Sequence, residues 1–261
     1  MYIFEIITPG IWLDYEDREW SWEVESQLRS LEGQFFEANL ALNLFHSIDR
    51  QESTSKDDWL RDNNRRSEIR EQIEAEILQE GKNYWEYMDE INLKTEVIFK
   101  REKWSQGHIP REFNHNLAFL YARAFLYALD TFDKFLKVLS NYERVPIEVK
   151  NAYQKMSEYF PNLRGVRNTV QHLEDRSRRL GGGRNPKPLD LKPVDNGFIN
   201  APSGALILNC LNGSKYGSTM ADGHYGEVDV SPESMNHLQT ILKEVLNSFK
   251  WKGSPQHKPS A

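Results

Sequence analysis

Apolar residues recur every three or four positions over most of this chain, and every second position in one stretch near its end. From Asp17 to Ile48, residues Trp20, Val24, Leu28, Leu31, Phe35, Ala38, Leu42 and Phe45 fall on one stripe, the spacing of an amphipathic helix. A second, far more polar helix is predicted over residues 56–80, with Trp59, Ile69, Ile73 and Ile77 on a narrow face and Gly81 as its stop. A third runs from about Tyr84 to Trp104, before Gly107 and Pro110 break the chain. The most apolar helix spans Arg111 to Leu139 and is apolar nearly all round from Leu117 to Leu129, which predicts a central position. Pro146 opens a shorter helix to Tyr159, as proline does at a first turn, and Phe160-Pro161 ends it. The next helix is predicted to continue to about Leu180. Arg176, Arg178 and Arg179 lie in its last turns, where cations complement the helix dipole, and Gly181-Gly182-Gly183 stops it.

Residues 184–203 are rich in Pro, Asn and Asp and read as a loop. The period then changes to two. Strands are predicted from Ala205 to Leu211, on to about Ala221, and from Glu227 to Val230, with turns at Asn212-Gly213 and Asp222-Gly223. Ser231-Pro232 caps a last helix bearing Met235, Leu238, Ile241, Leu242, Val245, Leu246 and Phe249 on one face. Tyr2 to Ile7 reads as a short strand or extended arm. The pattern predicts a mainly α fold, an antiparallel helical bundle with a small antiparallel β-meander inserted before the last helix. The domains expected are a helical extension over 1–105, a helical domain over 106–250 with its meander at about 205–230, and a flexible tail over 251–261.

Composition narrows the function classes. The 261 residues suffice for one large domain or two modest ones, and 28% are charged, for a net charge of −6. Charge is uneven: Phe160 to Lys192 holds eight Lys/Arg against three Asp/Glu, a local +5, while Trp12 to Leu40 holds two Arg against eight acids, a local −6. An acidic chain with one basic segment can meet nucleic acid through that segment. The lone Cys210 excludes an intrachain disulfide and a cysteine-based zinc site, which points to a reducing, cytoplasmic setting. The N-terminal residues show no basic n-region or long apolar run, so no signal peptide is expected, and no stretch has the length of a membrane helix.

The basic segment carries the chemistry. Residues four apart share a helix face, so Arg164, Asn168 and His172 line one stripe that Asp175 or Arg176 continues, and Arg167 can reach back toward it. Leu163, Val166, Val170 and Leu173 fall on the other side. This suits phosphodiester cleavage. A histidine can take or give a proton near neutral pH, and an arginine can stabilise charge building on phosphoryl oxygens. With RNA the 2′-hydroxyl is itself the nucleophile, and neither metal nor cofactor is needed. The same stripe also fits an ordinary solvated face with His172 bonded to Asn168 or Glu174.

The run Arg167, Asn168, Thr169-Val170-Gln171, His172 resembles the motif of the HEPN superfamily (higher eukaryote and prokaryote nucleotide-binding): an arginine, a polar residue and a histidine a few positions on. The helices Arg111–Leu139 and Pro146–Tyr159, the motif helix and Ser231–Phe249 resemble the order of that family's helical core, over roughly residues 111–250, and the look is that of its bacterial branches. The resemblance implies a HEPN-like, metal-independent endoribonuclease, dimeric through the motif helix, with a role in stress or phage defence and an antitoxin or other protein partner. By that reading Arg167 and His172 are catalytic and Asn168 supports them. Arg164, Arg176 and Arg123 would bind substrate, and the products would be 2′,3′-cyclic phosphate and 5′-hydroxyl ends. The strands at 205–230 and the first hundred or so residues depart from the minimal domain of the family. A non-catalytic module holding a nucleotide or partner is the alternative, and a purely structural protein a third.

Other features speak more weakly. Arg123 and Asp130 share a face of the apolar helix, where Arg123 either binds phosphate or pairs with an acid of a neighbouring helix. Glu112 and His115 have di-iron spacing without the second copy such sites need. The run Gly181-Gly182-Gly183-Arg184 follows a helix, so the dipole has the wrong sign for a phosphate loop. Asp222-Gly223-His224 reads as a hairpin tip. The seven tryptophans read mostly as core; Trp85, Tyr87 and Trp104 could stack on bases if exposed, with core or a subunit interface the favoured reading.

Overall fold

The predicted helical stripes become helices, the one expected from residue 163 to about 180 in two pieces. The computed structural model describes residues 1–48 and 55–260. In chain order its elements are β1 (Ile6–Thr8), β2 (Trp12–Leu13), α1 (Arg18–Ser47), α2 (Lys56–Gln79), a 3-10 turn (Tyr84–Tyr87) and α3 (Met88–Ser105). Then come α4 (Arg111–Ser140), α5 (Ile147–Tyr159), α6 (Leu163–Gln171), α7 (Leu173–Ser177), β3 (Val194–Asp195) and β4 (Asn200–Ala201). The chain ends with β5 (Cys210–Asn212), β6 (Lys215–Thr219), β7 (Tyr225–Asp229), α8 (Pro232–Asn247), β8 (Trp251–Lys252) and β9 (Gln256–Lys258). The fold is mainly helical with small antiparallel sheets.

Two compact units divide the chain: Met1–Ile48 with Leu117–Ala261, and Asp49–Asn116. The boundaries differ from the predicted ones at 105 and 250. Long-range packing sets them: α1 packs on α8, and its stripe (Val24, Leu28, Leu31, Phe35, Leu42) is buried in the same core as α4, α5 and α8. An apolar stripe read by itself does not reveal which later helix covers it.

In the larger unit the core joins α1, α4, α5, α6, α8 and the meander. Fully buried residues of α4 begin only at Ala122; Leu120 remains 53% exposed, so the all-round apolar character of 117–121 does not translate into burial. Asp17 caps α1, accepting from the Trp20 amide at 3.0 Å and from Arg144 at 2.7 Å. The Arg144 bond, followed by that amide, holds the Asp17 carboxyl below its ordinary range. The terminal segment is ordered by pairing where a flexible tail is predicted. β9 pairs antiparallel with β1, β8 with β2, and Lys258 reaches the buried Glu32 carboxylate at 2.6 Å. The partners lie some 250 residues apart, a separation that local pattern cannot show.

The meander is β5-β6-β7, antiparallel throughout. Its first strand is shorter than predicted. Between residues 205 and 209 the ladder is largely replaced by side-chain bonds: the Ile207 amide donates to Thr219 Oγ1 and the Asn209 amide to Ser218 Oγ, while a backbone bond remains from the Thr219 amide to the Ile207 carbonyl at 2.7 Å. Asn209 itself is left-handed at φ 50°.

The smaller unit is an antiparallel hairpin of α2 and α3. Ile69, Ile73 and Ile77 meet Ile91 and Phe99, and Arg65–Glu102, Arg66–Glu96 and Lys103–Asp62 ion pairs flank them at 2.8–3.0 Å. Trp59, predicted on the buried face, is 59% exposed. Trp12, Trp22, Trp85 and Trp104 are exposed as well, so none of the four is core within this chain; Trp20 is buried.

Candidate functional site

Helix α6 lies between α4 and the meander, and both neighbours fix it through specific side chains. Thr169 is fully buried and donates to the Thr219 carbonyl of β6 at 3.0 Å. Gly165 lets the helix approach Met220 so closely that a Cβ there would lie 2.2 Å from its sulfur. Leu163 and Val166 complete the inward face.

Two carboxylates of α4 receive the α6 cations. Asp133 Oδ2 accepts from Arg164 Nε at 3.0 Å and Nη2 at 2.8 Å, and Arg164 Nη2 also donates to the Tyr153 hydroxyl at 2.6 Å. The Tyr153 bond and then the Asp133 carboxylate hold the Arg164 guanidinium above its ordinary value. One turn on, Arg167 Nε stands 2.9 Å from Asp130 Oδ2, at ion-pair distance but without hydrogen-bond alignment. Lys134 contacts the same oxygen at 2.7 Å. Arg167 Nη1 donates to Gln171 Oε1 at 2.5 Å. The two arginines differ in access: the side chain of Arg164 is 53% exposed and that of Arg167 only 14%.

His172 marks a break. A single helix is predicted to about Leu180, yet α6 ends at Gln171 and α7 begins at Leu173, with His172 at φ −128°, ψ 42° between them. The break changes which residues share a face. On an unbroken helix Arg176 would sit four residues beyond His172 on the same side. Here the His172 side chain is 56% exposed, whereas Arg176 is 1% exposed.

Arg176, expected among the substrate-binding residues, is instead buried and takes a structural place. Its Nη1 donates to the Leu180 and Gly181 carbonyls at 2.6 and 2.7 Å, anchoring the chain that leaves α7. Arg123 is half-buried on α4, its Nε donating to the Phe119 carbonyl at 3.2 Å. It lies seven residues before Asp130, about 10 Å along the helix axis, so it is not drawn into the α6 cation group. Its predicted acid partner is not seen among the described residues either; instead its charge acts on the buried Tyr216 hydroxyl. Asn168 and Gln171 are exposed on the outer face.

From sequence, Asp175 and Glu174 are taken one at a time and are not grouped with His172. His172, Glu174 and Asp175 each offer one ligand atom within 4.8 Å of the others, and His172 Nδ1 lies 3.7 Å from Glu174. Asp175 is shared with Arg178 at 2.6 Å. Their spacing, His-x-Glu-Asp across the start of α7, is visible in the sequence; the helix break that gathers them is not.

The exposed site thus consists of Arg164, Asn168, Gln171 and His172 over a buried layer of Asp130, Asp133 and Arg167. It combines one imidazole, one accessible guanidinium and two side-chain amides. No protein-family model matches this chain, and neither a curated protein nor a solved structure does.

Proposed function

We propose that this chain is a HEPN-like, metal-independent endoribonuclease that acts as a homodimer through α6. The observation that carries the reading is the state of His172. Its imidazole is exposed at a helix break, next to α6 cations held rigid by buried carboxylates. Nothing encloses it in the core. In the reaction His172 takes the proton of the RNA 2′-hydroxyl, and that oxygen attacks the adjacent phosphorus. The P–O5′ bond breaks, giving a 2′,3′-cyclic phosphate and a 5′-oxygen that must be protonated.

In-line displacement places base and acid on opposite sides of phosphorus. One copy of α6–α7 supplies one histidine, so the acid is the same histidine of a second copy. Arg164, whose Nη1 has no hydrogen-bond partner among the described residues, contacts the phosphoryl oxygens, and Arg167 adds a fixed positive field from beneath. Asn168 orients the substrate.

The test is cleavage of mixed RNA in EDTA by wild type, His172→Ala and Arg164→Gln, with end-group analysis. EDTA matters because His172, Glu174 and Asp175 are spaced to hold a cation. Expected are cyclic-phosphate ends from wild type, loss of at least about 100-fold in rate for His172→Ala, and a smaller loss for Arg164→Gln. Undiminished cleavage by His172→Ala, or RNA left whole by folded wild type, refutes the reading. One observation favours the second reading, a module that binds without turnover: Arg164 and Arg167 are each already paired with a carboxylate, which lowers the positive potential available to a transition state. Binding without turnover is its outcome in the same assay.

A further inference from the structure

Beyond α7 the chain forms a small hairpin. Leu180 and Pro188 are bridged antiparallel, the Gly181 amide donates to the Lys187 carbonyl at 2.7 Å, and the Leu189 amide to the Arg179 carbonyl at 2.8 Å. Gly183 at its tip takes φ 102°, a conformation that side chains disfavour. The glycine run is thus a hairpin turn and not merely a helix stop.

Two anchors hold this hairpin. One is Arg176, whose buried guanidinium binds the Leu180 and Gly181 carbonyls. No carboxylate pairs with it among the described residues, and its Nε has no hydrogen-bond partner. Burying a cation in this way is costly and persists only where the surrounding fold compensates. The other anchor is the β6–β7 turn. Gly181 fits closely against the Ala221 carbonyl, and the Lys192 amide donates to the Gly223 carbonyl at 3.0 Å.

What the hairpin displays is positive charge. Arg179, Arg184 and Lys187 are exposed, and no ion pair among the described residues engages them. The other nearby cations are neutralised locally, Arg178 by Asp175 and Lys192 by Asp190. The five residues of α7 separate His172 from this group, about 7.5 Å of helix. Three unpaired cations on a braced support, one short helix from an exposed imidazole, match the spaced negative charges of a polynucleotide backbone better than a single small anion.

We propose that the hairpin of residues 179–189, pinned by Arg176, binds the phosphate backbone of single-stranded RNA beside His172 through Arg179, Arg184 and Lys187. The inference rests on the ribonuclease reading for its choice of RNA, but it concerns binding and can be tested apart from cleavage. Each cation covering one phosphate displaces condensed counterions, so affinity falls with salt by a slope of about 0.7 per contact for single strands. Three contacts contribute about 2 to that slope.

The experiment measures binding of fluorescent single-stranded 2′-O-methyl RNA, which lacks the nucleophile and cannot be cut, across a salt series in EDTA. Wild type is compared with the Arg179→Gln/Arg184→Gln/Lys187→Gln variant and with Arg176→Lys. The triple change lies on the surface and leaves the core intact. Its salt dependence is expected to be shallower by about 2, with affinity at low salt reduced by about tenfold or more. Arg176→Lys is expected to weaken binding, with faster amide exchange confined to residues 179–189. An unchanged slope and affinity in the triple variant overturns the proposal. So does a wild type that binds anionic vesicles or acidic protein but no single-stranded RNA. A wild type that binds RNA through these residues yet cuts none refutes the ribonuclease reading and leaves this one standing.

Discussion

Removing one carboxylate beneath α6 should cost more than removing its neighbour, although the neighbour makes the better hydrogen bonds. Asp130 and Asp133 are both buried, with side chains 3% and 5% exposed, and each faces an arginine of α6. Asp133 receives two well-aligned bonds from Arg164, but that guanidinium is 53% exposed. Water therefore replaces Asp133 cheaply, and the coupling should be about 1 kcal/mol. Arg167 is 14% exposed and would be left nearly dry without Asp130. Breaking a buried pair costs about 3–5 kcal/mol; Lys134, 56% exposed, shares the Asp130 oxygen and softens the loss, so about 2–3 kcal/mol of coupling is expected.

Double-mutant cycles with Asp130→Asn/Arg167→Gln and Asp133→Asn/Arg164→Gln separate these terms from the single-variant effects. Urea titration followed by amide exchange of α4 and α6 peptides confines the readout to the larger unit. The reasoning fails if the Asp133–Arg164 coupling equals or exceeds that of Asp130–Arg167. Desolvation would then not govern this layer, and hydrogen-bond alignment would.

Two further changes probe the support of the site. Gly165→Ala places a methyl 2.2 Å from the Met220 sulfur and should cost about 1–3 kcal/mol, seen as a lowered Tm, with Met220→Ala restoring part of it; an unchanged Tm would show that α6 does not need this close approach. Burial pushes the Tyr216 hydroxyl up to about 12, and it donates to Asn209 Oδ1 at 2.6 Å. Because its folded value lies above the ordinary one near 10, the stabilisation is fully present below about pH 10 and is lost as pH rises toward about 12, about 3 kcal/mol in all. Tyr216→Phe should therefore cost about 1 kcal/mol at neutral pH and flatten the alkaline limb of a stability–pH profile, though not completely, since burial and then Cys210 raise Tyr225 too; an unaltered alkaline slope would contradict this.

Local periodicity revealed most of the helices, because burial on one face repeats at the helical period wherever the partner lies. The stripe from Trp20 to Phe45, the cap at Ser231 and the turn at Asn212-Gly213 all follow from neighbours in sequence. What was not legible depends on distant partners. The β1–β9 pairing joins the two ends of the larger unit, and the unit boundary follows from α1 packing on α8. In the site, the motif residues were visible as a cluster on α6, but their division into buried and exposed members was not. Arg176 and His172 have the spacing of one face, and the break at His172 sends one into the fold and the other to solvent. Asp130 could be read as a buried charge in need of a partner, while the identity of that partner, Arg167, required the packing of α6 on α4.

That division of cations has a consequence for assigning activity. Arg167 is held by Asp130 under the surface, so replacing either residue perturbs packing and electrostatics together, and lost cleavage in such variants would not separate chemistry from folding. Arg164 is different: its guanidinium is half exposed and reads on substrate contact, but neutralising it also leaves the buried Asp133 without its partner, so Arg164→Gln is best compared with the paired Arg164→Gln/Asp133→Asn variant. His172 makes no enclosed contact, so its replacement should leave stability within about 0.5 kcal/mol of wild type, as surface substitutions do. A site whose imidazole can be removed without structural cost, above a layer that cannot be touched without one, is divided between a reactive surface and its scaffold. Cleavage lost in His172→Ala at unchanged Tm would assign the chemistry to that surface. Cleavage lost only in parallel with stability would assign the α6 cations to the scaffold.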